Sequence, residues 1–312
     1  MRLRFAGEAL HDALTPAFEH LTASAASAPD LTAHLFDSAG TGVAAPPPAW
    51  EPDAFGRRGE IAGYNDARFR TVFQQGSDVL LMYDRERREA VYWIEDHAKV
   101  PYWERSFPLR TVFHWWLEER PLQPVHAAAV GLPDGGVLIA GRSGSGKSTS
   151  ALACLDSELL FAGDDYVLTG TGPAPHVHSL YGTAKLEPEN LARFPRLAAG
   201  VVNGGRLDRE KALLFPNLFA PEKLSRGFPL RALLVQRITG RPETRLGRAT
   251  AAEAFLALGP TTLCHLPGGE GAALAKISAL VRRVPVYALE AGTDLARIPE
   301  TILGLLRGEE NR

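Results

Sequence analysis

Nine consecutive residues, Gly141-Arg142-Ser143-Gly144-Ser145-Gly146-Lys147-Ser148-Thr149, satisfy every fixed position of G-x-x-x-x-G-K-[ST]. The chemistry open to such a run is narrow. Glycines let the backbone curl until successive N–H groups face one anion, a lysine reaches the outer phosphates of a nucleotide, and a hydroxyl ligates Mg²⁺. Gly141, Gly144 and Gly146 are the candidates for the curl, Lys147 for the β- and γ-phosphates and Ser148 for the metal, with Arg142, Ser143, Ser145 and Thr149 completing the lining. Two more groups stand at suggestive distances: Asp164-Asp165, 23 and 24 residues after the first loop glycine, and His126, 15 residues before it. A carboxylate can hold Mg²⁺, the part given to Asp164, or accept a proton. An imidazole, with an ordinary pKa near 6.5, can orient or relay for it. Lys185 and Lys211 sit alone in short polar breaks between apolar runs and are candidate phosphate or acceptor contacts, although a lone lysine is more often simply solvated.

The elements that must position these groups are legible around them. Gly136-Val137-Leu138-Ile139-Ala140 has the length and branching of a buried strand, and Ser150-Ala151-Leu152-Ala153-Cys154-Leu155 is built of good helix formers. The apolar run before Asp164 puts the pair at a strand end, where ligands of α/β sheets bind. Adjacent strand residues point to opposite faces, so both aspartates reach one ligand only if the chain bends, and Gly163 is the expected place. The part before the loop reads as a helix over residues 9–23, strands over 31–36, 68–73, 78–83 and 90–94 in a small antiparallel sheet, a proline-rich loop over 44–52, and a helix over 109–117. The later part reads as strands over 125–130, 136–140, 158–162, 166–168, 229–238 and 284–289, with helices over 251–257, 272–281 and 294–306. The arginines from Arg226 to Arg248 read as an exposed hairpin, and His176 and His178 as strand neighbours without a third metal ligand.

Composition narrows the class. A chain of 312 residues with 45% hydrophobic content suits two domains, and all five tryptophans fall within the first 116 residues. The expected division is 1–121, a smaller α+β domain that could present an acceptor, and 122–312, the nucleotide-binding domain. A net charge of −2 argues against nucleic acid or an anionic membrane as partner. Two cysteines without metal spacing, an interrupted N-terminal apolar run and no membrane-length segment lead to the expectation of a cytoplasmic, soluble protein.

Taken together, His126-Ala127-Ala128-Ala129-Val130, the 136–148 strand and loop, and Ala162-Gly163-Asp164-Asp165 resemble the core of HPr kinase/phosphorylase and the wider group of HPr-kinase-related proteins, closely over about residues 122–170. The resemblance implies an α/β fold with a P-loop core of the HPr kinase / PEP carboxykinase-like type. It makes Lys147 the phosphate lysine, Ser148 the Mg²⁺ ligand, Asp165 the base for the acceptor hydroxyl, and His126 its catalytic neighbour. The glutamate-containing signature of those kinases is missing from Ser179-Leu180-Tyr181-Gly182-Thr183-Ala184-Lys185-Leu186, so phosphorolysis is not expected; the stretch looks instead like the Gly-x-x-Lys-Leu of related proteins, some of which phosphorylate serine in lasso-peptide precursors. The expectation is an ATP- and Mg²⁺-dependent serine kinase acting on a protein or ribosomally made peptide. A small-molecule alcohol kinase and a nucleotide-driven switch are the competing readings. The acceptor, ATP against GTP, and the oligomeric state stay open.

Overall fold

The computed structural model describes residues 1–23, 28–51, 53–264 and 266–309. Two compact units divide the chain: Met1–Ala17 and Thr22–Arg120 with residues 266–270 in one, Phe18–Leu21, Pro121–Cys264 and Gly271–Arg312 in the other.

The first unit carries strands β1 (Arg2–Ala6), β2 (Thr32–Asp37), β3 (Phe69–Gln74), β4 (Val79–Asp84) and β5 (Glu89–Ile94) in the order β1-β2-β5-β4-β3. The sheet is mixed, where a purely antiparallel one was expected: β3, β4 and β5 are antiparallel neighbours, but β5, β2 and β1 run parallel. Parallel neighbours need a crossover, and the helix Ala9–Leu14 lies in the one between β1 and β2. The alternation of Arg2-Leu3-Arg4-Phe5-Ala6 is the strand signal that a basic start concealed. Helical spacing over 9–23 breaks at Pro16, which has no N–H to continue the ladder, and the chain goes on as the 3₁₀ turn Pro16–Leu21. Residues 44–51 have no regular structure; Pro52 lies outside the described residues. The helix Arg110–Leu117 packs on β4, and its Trp115 Nε1 donates to the Pro267 carbonyl at 2.8 Å.

The second unit is built on a nine-stranded sheet. Its strands are β6 (Leu122–Val125), β7 (Ala128–Leu132), β8 (Gly135–Ala140), β9 (Leu160–Gly163), β10 (Val167–Gly170), β11 (His176–Ser179), β14 (Gly227–Ile238), β15 (Arg245–Arg248) and β16 (Val286–Ala291). Strands β12 (Ala184–Leu186) and β13 (Ala212–Leu214) form a separate two-stranded ribbon. The run expected as one strand over 125–130 is two, broken at His126-Ala127, with β6 pairing β10 and β7 pairing β8 and β9. Within the arginine-rich stretch, β15 pairs β16 and not β14, so no simple hairpin forms.

Both faces of the sheet's centre are covered, which is why β8 and the Ala232–Val235 stretch of β14 read as unbroken apolar runs. Val137, Ile139, Ala232 and Leu234 join the core that holds helices Lys147–Ala153 and Arg297–Arg307, while Leu138, Ala140, Leu233 and Val235 join the core under Ala251–Leu263 and Glu270–Arg283. Each such Leu or Ile side chain removed from water contributes roughly 1.5–3 kcal/mol. Helix Ala251–Leu263 starts on a capping box, with the Thr250 side chain accepting from the Glu253 N–H and Glu253 accepting from the Thr250 N–H.

The hairpin of β7 and β8 depends on close approach. A Cβ on Gly136 would come within 2.3 Å of the Phe228 ring and 2.7 Å of the Val130 carbonyl oxygen, and Phe228 is itself buried. Gly136→Ala should therefore lose about 1–3 kcal/mol, as overpacking does. Denaturant unfolding that leaves the variant's midpoint where the wild type has it would refute this close fit.

Candidate functional site

Strand directions collect the candidate residues. Strand β14 runs parallel to β8 and β16 parallel to β14, while β7 is antiparallel to both β8 and β9. The C-terminal ends of β9, β8, β14 and β16 and the start of β7 therefore share one edge of the sheet, the edge at which open α/β sheets take ligands. Across it, in spatial order, stand Asp164-Asp165 after β9, His126 before β7, the glycine loop after β8, Gln236 and Ile238 in β14, and Gly292-Thr293 after β16.

The loop from Gly141 to Gly146 joins β8 to the helix Lys147–Ala153. Gly144 and Gly146 have φ of +77° and +90°, which side chains rarely adopt. A Cβ at Gly141 would meet the Ser145 side chain at 2.4 Å. Lys147 is only 6% exposed, and its ammonium lies across the loop, donating to the Gly141 and Arg142 carbonyls at 3.0 and 3.3 Å. Burial lowers the Lys147 pKa; Asp164 and Asp165 oppose the shift, and Lys211 and Lys185 reinforce it.

The two aspartates turn in different directions, and the chain bends on both sides of Asp164: at Gly163, φ +157°, as expected, and at Asp165, φ +63°, a left-handed conformation that aspartate tolerates. Asp164 points inward and is 2% exposed. Its Oδ2 accepts from the Lys185 N–H at 3.2 Å, and its Oδ1 is a buried oxygen without a partner. Burial first, and then the Asp165 charge, push its pKa up to about 7, against the Ser148 hydroxyl, which hydrogen-bonds to it. Asp165 faces the cavity. Burial disfavours its charge too, but the Lys185 ammonium at 2.8 Å and His126 Nε2 at 3.1 Å overcome this and hold the carboxyl well below the usual range. An ionised carboxylate only accepts, so His126 Nε2 carries the proton. Burial keeps the His126 pKa low, so the ring is neutral and Nδ1 is the bare nitrogen, buried and without a partner. The ring rests against Tyr166, with centroids 5.2 Å apart, and the His126 backbone N–H donates to Thr262 Oγ1 at 3.0 Å.

Lys185 lies in β12, which packs on the loop's helix, and Lys211 immediately precedes β13. Lys211 pairs with Glu187 at 2.7 Å. A cavity of about 200 Å³ is lined by His126, residues 143–150, Asp165, Lys185 and Lys211, and Asp164 is not part of its lining. Gly141 and Arg142 meet Lys147 through their carbonyls.

The same cavity has a wall that sequence reasoning missed. Arg193, Gln236, Ile238, Thr293, Leu295 and Ile298 line it. Gln236 Nε2 donates to Ser150 Oγ at 2.9 Å, and Ile238 is 62% exposed. Their place at the C-terminal end of a strong strand is the one signal that could have marked Gln236 and Ile238. His20 was also missed: its Nε2 lies 2.6 Å from Ser179 Oγ and its ring leaves no room for a Cβ on Gly182, three residues before Lys185. Burial, then Arg226, lowers the His20 pKa to about 4. His176 and His178 do pair on one strand face, with ring centroids 4.6 Å apart.

Whether the residues present fit Mg²⁺ can be tested on the donor set. Among the described residues, no three His, Cys, Asp or Glu side chains converge as a metal cage. Ser148 and the unpartnered Asp164 Oδ1 are hard oxygen donors beside one another, which suits an ion that keeps water and phosphate oxygens as most of its ligands.

No protein-family model matches the chain, and no curated protein sequence does. Among solved structures, the HPr(Ser) kinase/phosphatase from Coxiella burnetii is a distant neighbour: TM-score 0.33, 14% identity, 59% of this chain and 96% of that chain covered. Among the described residues, no helix is long and apolar enough to cross a membrane.

Proposed function

We propose that this chain is a P-loop kinase of the HPr-kinase-like type, transferring the γ-phosphoryl group of ATP to a serine hydroxyl of a protein or ribosomally made peptide. The observation that carries this reading is Asp165: an ionised carboxylate, fixed by His126 and Lys185, facing the same cavity as a glycine loop and its buried lysine. A module that only binds nucleotide has no need of such a group.

The loop N–H groups and Lys147 would take the phosphates, Lys147 exchanging its two carbonyl contacts for phosphoryl oxygens. Mg²⁺, held by Ser148 and Asp164 together with the nucleotide, would neutralise charge on the phosphates. Asp165 would accept a hydrogen bond from the acceptor hydroxyl and orient its oxygen at phosphorus. In a loose transition state the hydroxyl proton leaves late, so an anchored carboxylate acts chiefly by orientation and its low pKa is no handicap. His126, donating through Nε2, would keep Asp165 from rotating away.

Incubation with γ-labelled ATP, Mg²⁺ and the proteins and peptides encoded beside the gene should place label on a serine. Lys147→Ala should abolish labelling and weaken ATP binding about 10- to 100-fold, the range of a lost charge-assisted hydrogen bond. ATP hydrolysed with label in no acceptor would make the chain a nucleotide-driven switch.

A further inference from the structure

Resting on the kinase reading, we propose that Lys185 contacts the γ-phosphoryl group itself and joins it to the acceptor base. Lys185 touches both aspartates at once, through its N–H to Asp164 Oδ2 at 3.2 Å and its ammonium to Asp165 Oδ2 at 2.8 Å. Its side chain is only 13% exposed, and it lines the cavity beside Lys147 and Ser148. A salt bridge that merely stabilised a surface would not be aimed into a ligand cavity from a separate ribbon.

The charges around the cavity ask for a polyanion. Lys147, Lys185, Lys211 and Arg193 line it against two carboxylates, Asp165 and Glu187. Four cations gathered around one cavity repel one another. A triphosphate would relieve that repulsion.

The order of groups along the sheet edge selects which phosphate Lys185 meets. The loop and Lys147 lie at β8, Gln236 and Ile238 on one side of it, Asp165 and Lys185 on the other. A nucleotide whose inner phosphates occupy the loop can bring only its terminal phosphoryl beside Asp165. An ammonium can be shared between a carboxylate and a phosphoryl oxygen. In the transfer step the serine oxygen forms a bond to Pγ, the bond from Pγ to the β–γ bridging oxygen breaks, and ADP leaves with that electron pair. The hydroxyl proton passes to Asp165. Lys185 donates to the moving group and to the base throughout, which fixes the distance between them.

The contact is read by binding alone, so no acceptor is required. Titration calorimetry with MgATP and MgADP should show Lys185→Met losing about 10- to 100-fold in ATP affinity, the worth of one charge-assisted hydrogen bond, while ADP affinity stays within about threefold. Lys185→Arg should keep most of the preference for ATP, and Lys147→Met should lose both nucleotides together. Lys185→Gln serves as a second neutral variant should the methionine variant melt early. Equal losses for ATP and ADP, or no loss, in folded Lys185 variants overturn the γ contact and leave the kinase reading standing. A wild-type chain that binds neither nucleotide overturns both.

Discussion

Asp165→Asn should lower the rate of phosphoryl transfer by about 10²–10⁴-fold, the usual contribution of a positioned acid or base, while nucleotide affinity holds or rises. The amide keeps the size of the carboxylate and one oxygen, so His126 Nε2, 3.1 Å away, still has an acceptor. What disappears is the charge that, on the kinase reading, draws the hydroxyl proton, together with the ion pair to Lys185 at 2.8 Å. Lys185 then competes for phosphate without a carboxylate on it, which is why binding should not fall. Single-turnover transfer and equilibrium binding, measured on the same preparations, separate the two effects. Turnover equal to wild type would remove Asp165 from the chemistry, and lost binding would make it a nucleotide ligand.

The strands and helices around this site were readable because their apolar runs carry their own period. Val137 to Ala140 and Leu233 to Val235 are apolar on both faces and can hardly be other than buried strands. What could not be read was pairing. His126 and Asp165 are 39 residues apart and meet only because β7 starts and β9 ends at one sheet edge. The wall of Gln236 and Thr293 depends on β14 and β16 lying side by side, in an order no local pattern states. The break at Ala127, whose N–H donates to the Val125 carbonyl at 3.1 Å, hides in a run of small apolar residues that reads as one strand. The bend at Gly163 is legible because glycine is the ordinary sign of such a turn, whereas the second one at Asp165 is not, aspartate being only an occasional sign.

The neighbouring aspartate should act in the opposite sense on stability. Asp164→Asn should stabilise the nucleotide-free chain in metal-free buffer at alkaline pH, while impairing Mg²⁺-dependent turnover. Asp164 has its carboxyl raised from 3.8 to about 7 by burial and by the charge of Asp165. A carboxyl whose pKa is higher folded than unfolded lends its stability below the unfolded value and loses it as pH rises through the folded one. The wild-type penalty therefore begins near pH 4, grows to about pH 7 and is complete above. At 1.36 kcal/mol per pH unit, the move from 3.8 to about 7 is worth at most about 4 kcal/mol. The asparagine carries no charge at any of these pH values and keeps an oxygen for the Lys185 N–H, so its advantage over wild type should open across that window and level off near pH 8. Asp165 has the reverse sign: its lowered pKa stabilises the fold above the ordinary carboxylate value and ceases to do so as pH falls, so Asp165→Asn should melt earlier than wild type at pH 7. Melting curves of both variants between pH 4 and pH 9 in chelator check the pair. An Asp164→Asn advantage that does not change with pH would mean that the buried carboxyl is not what is being relieved.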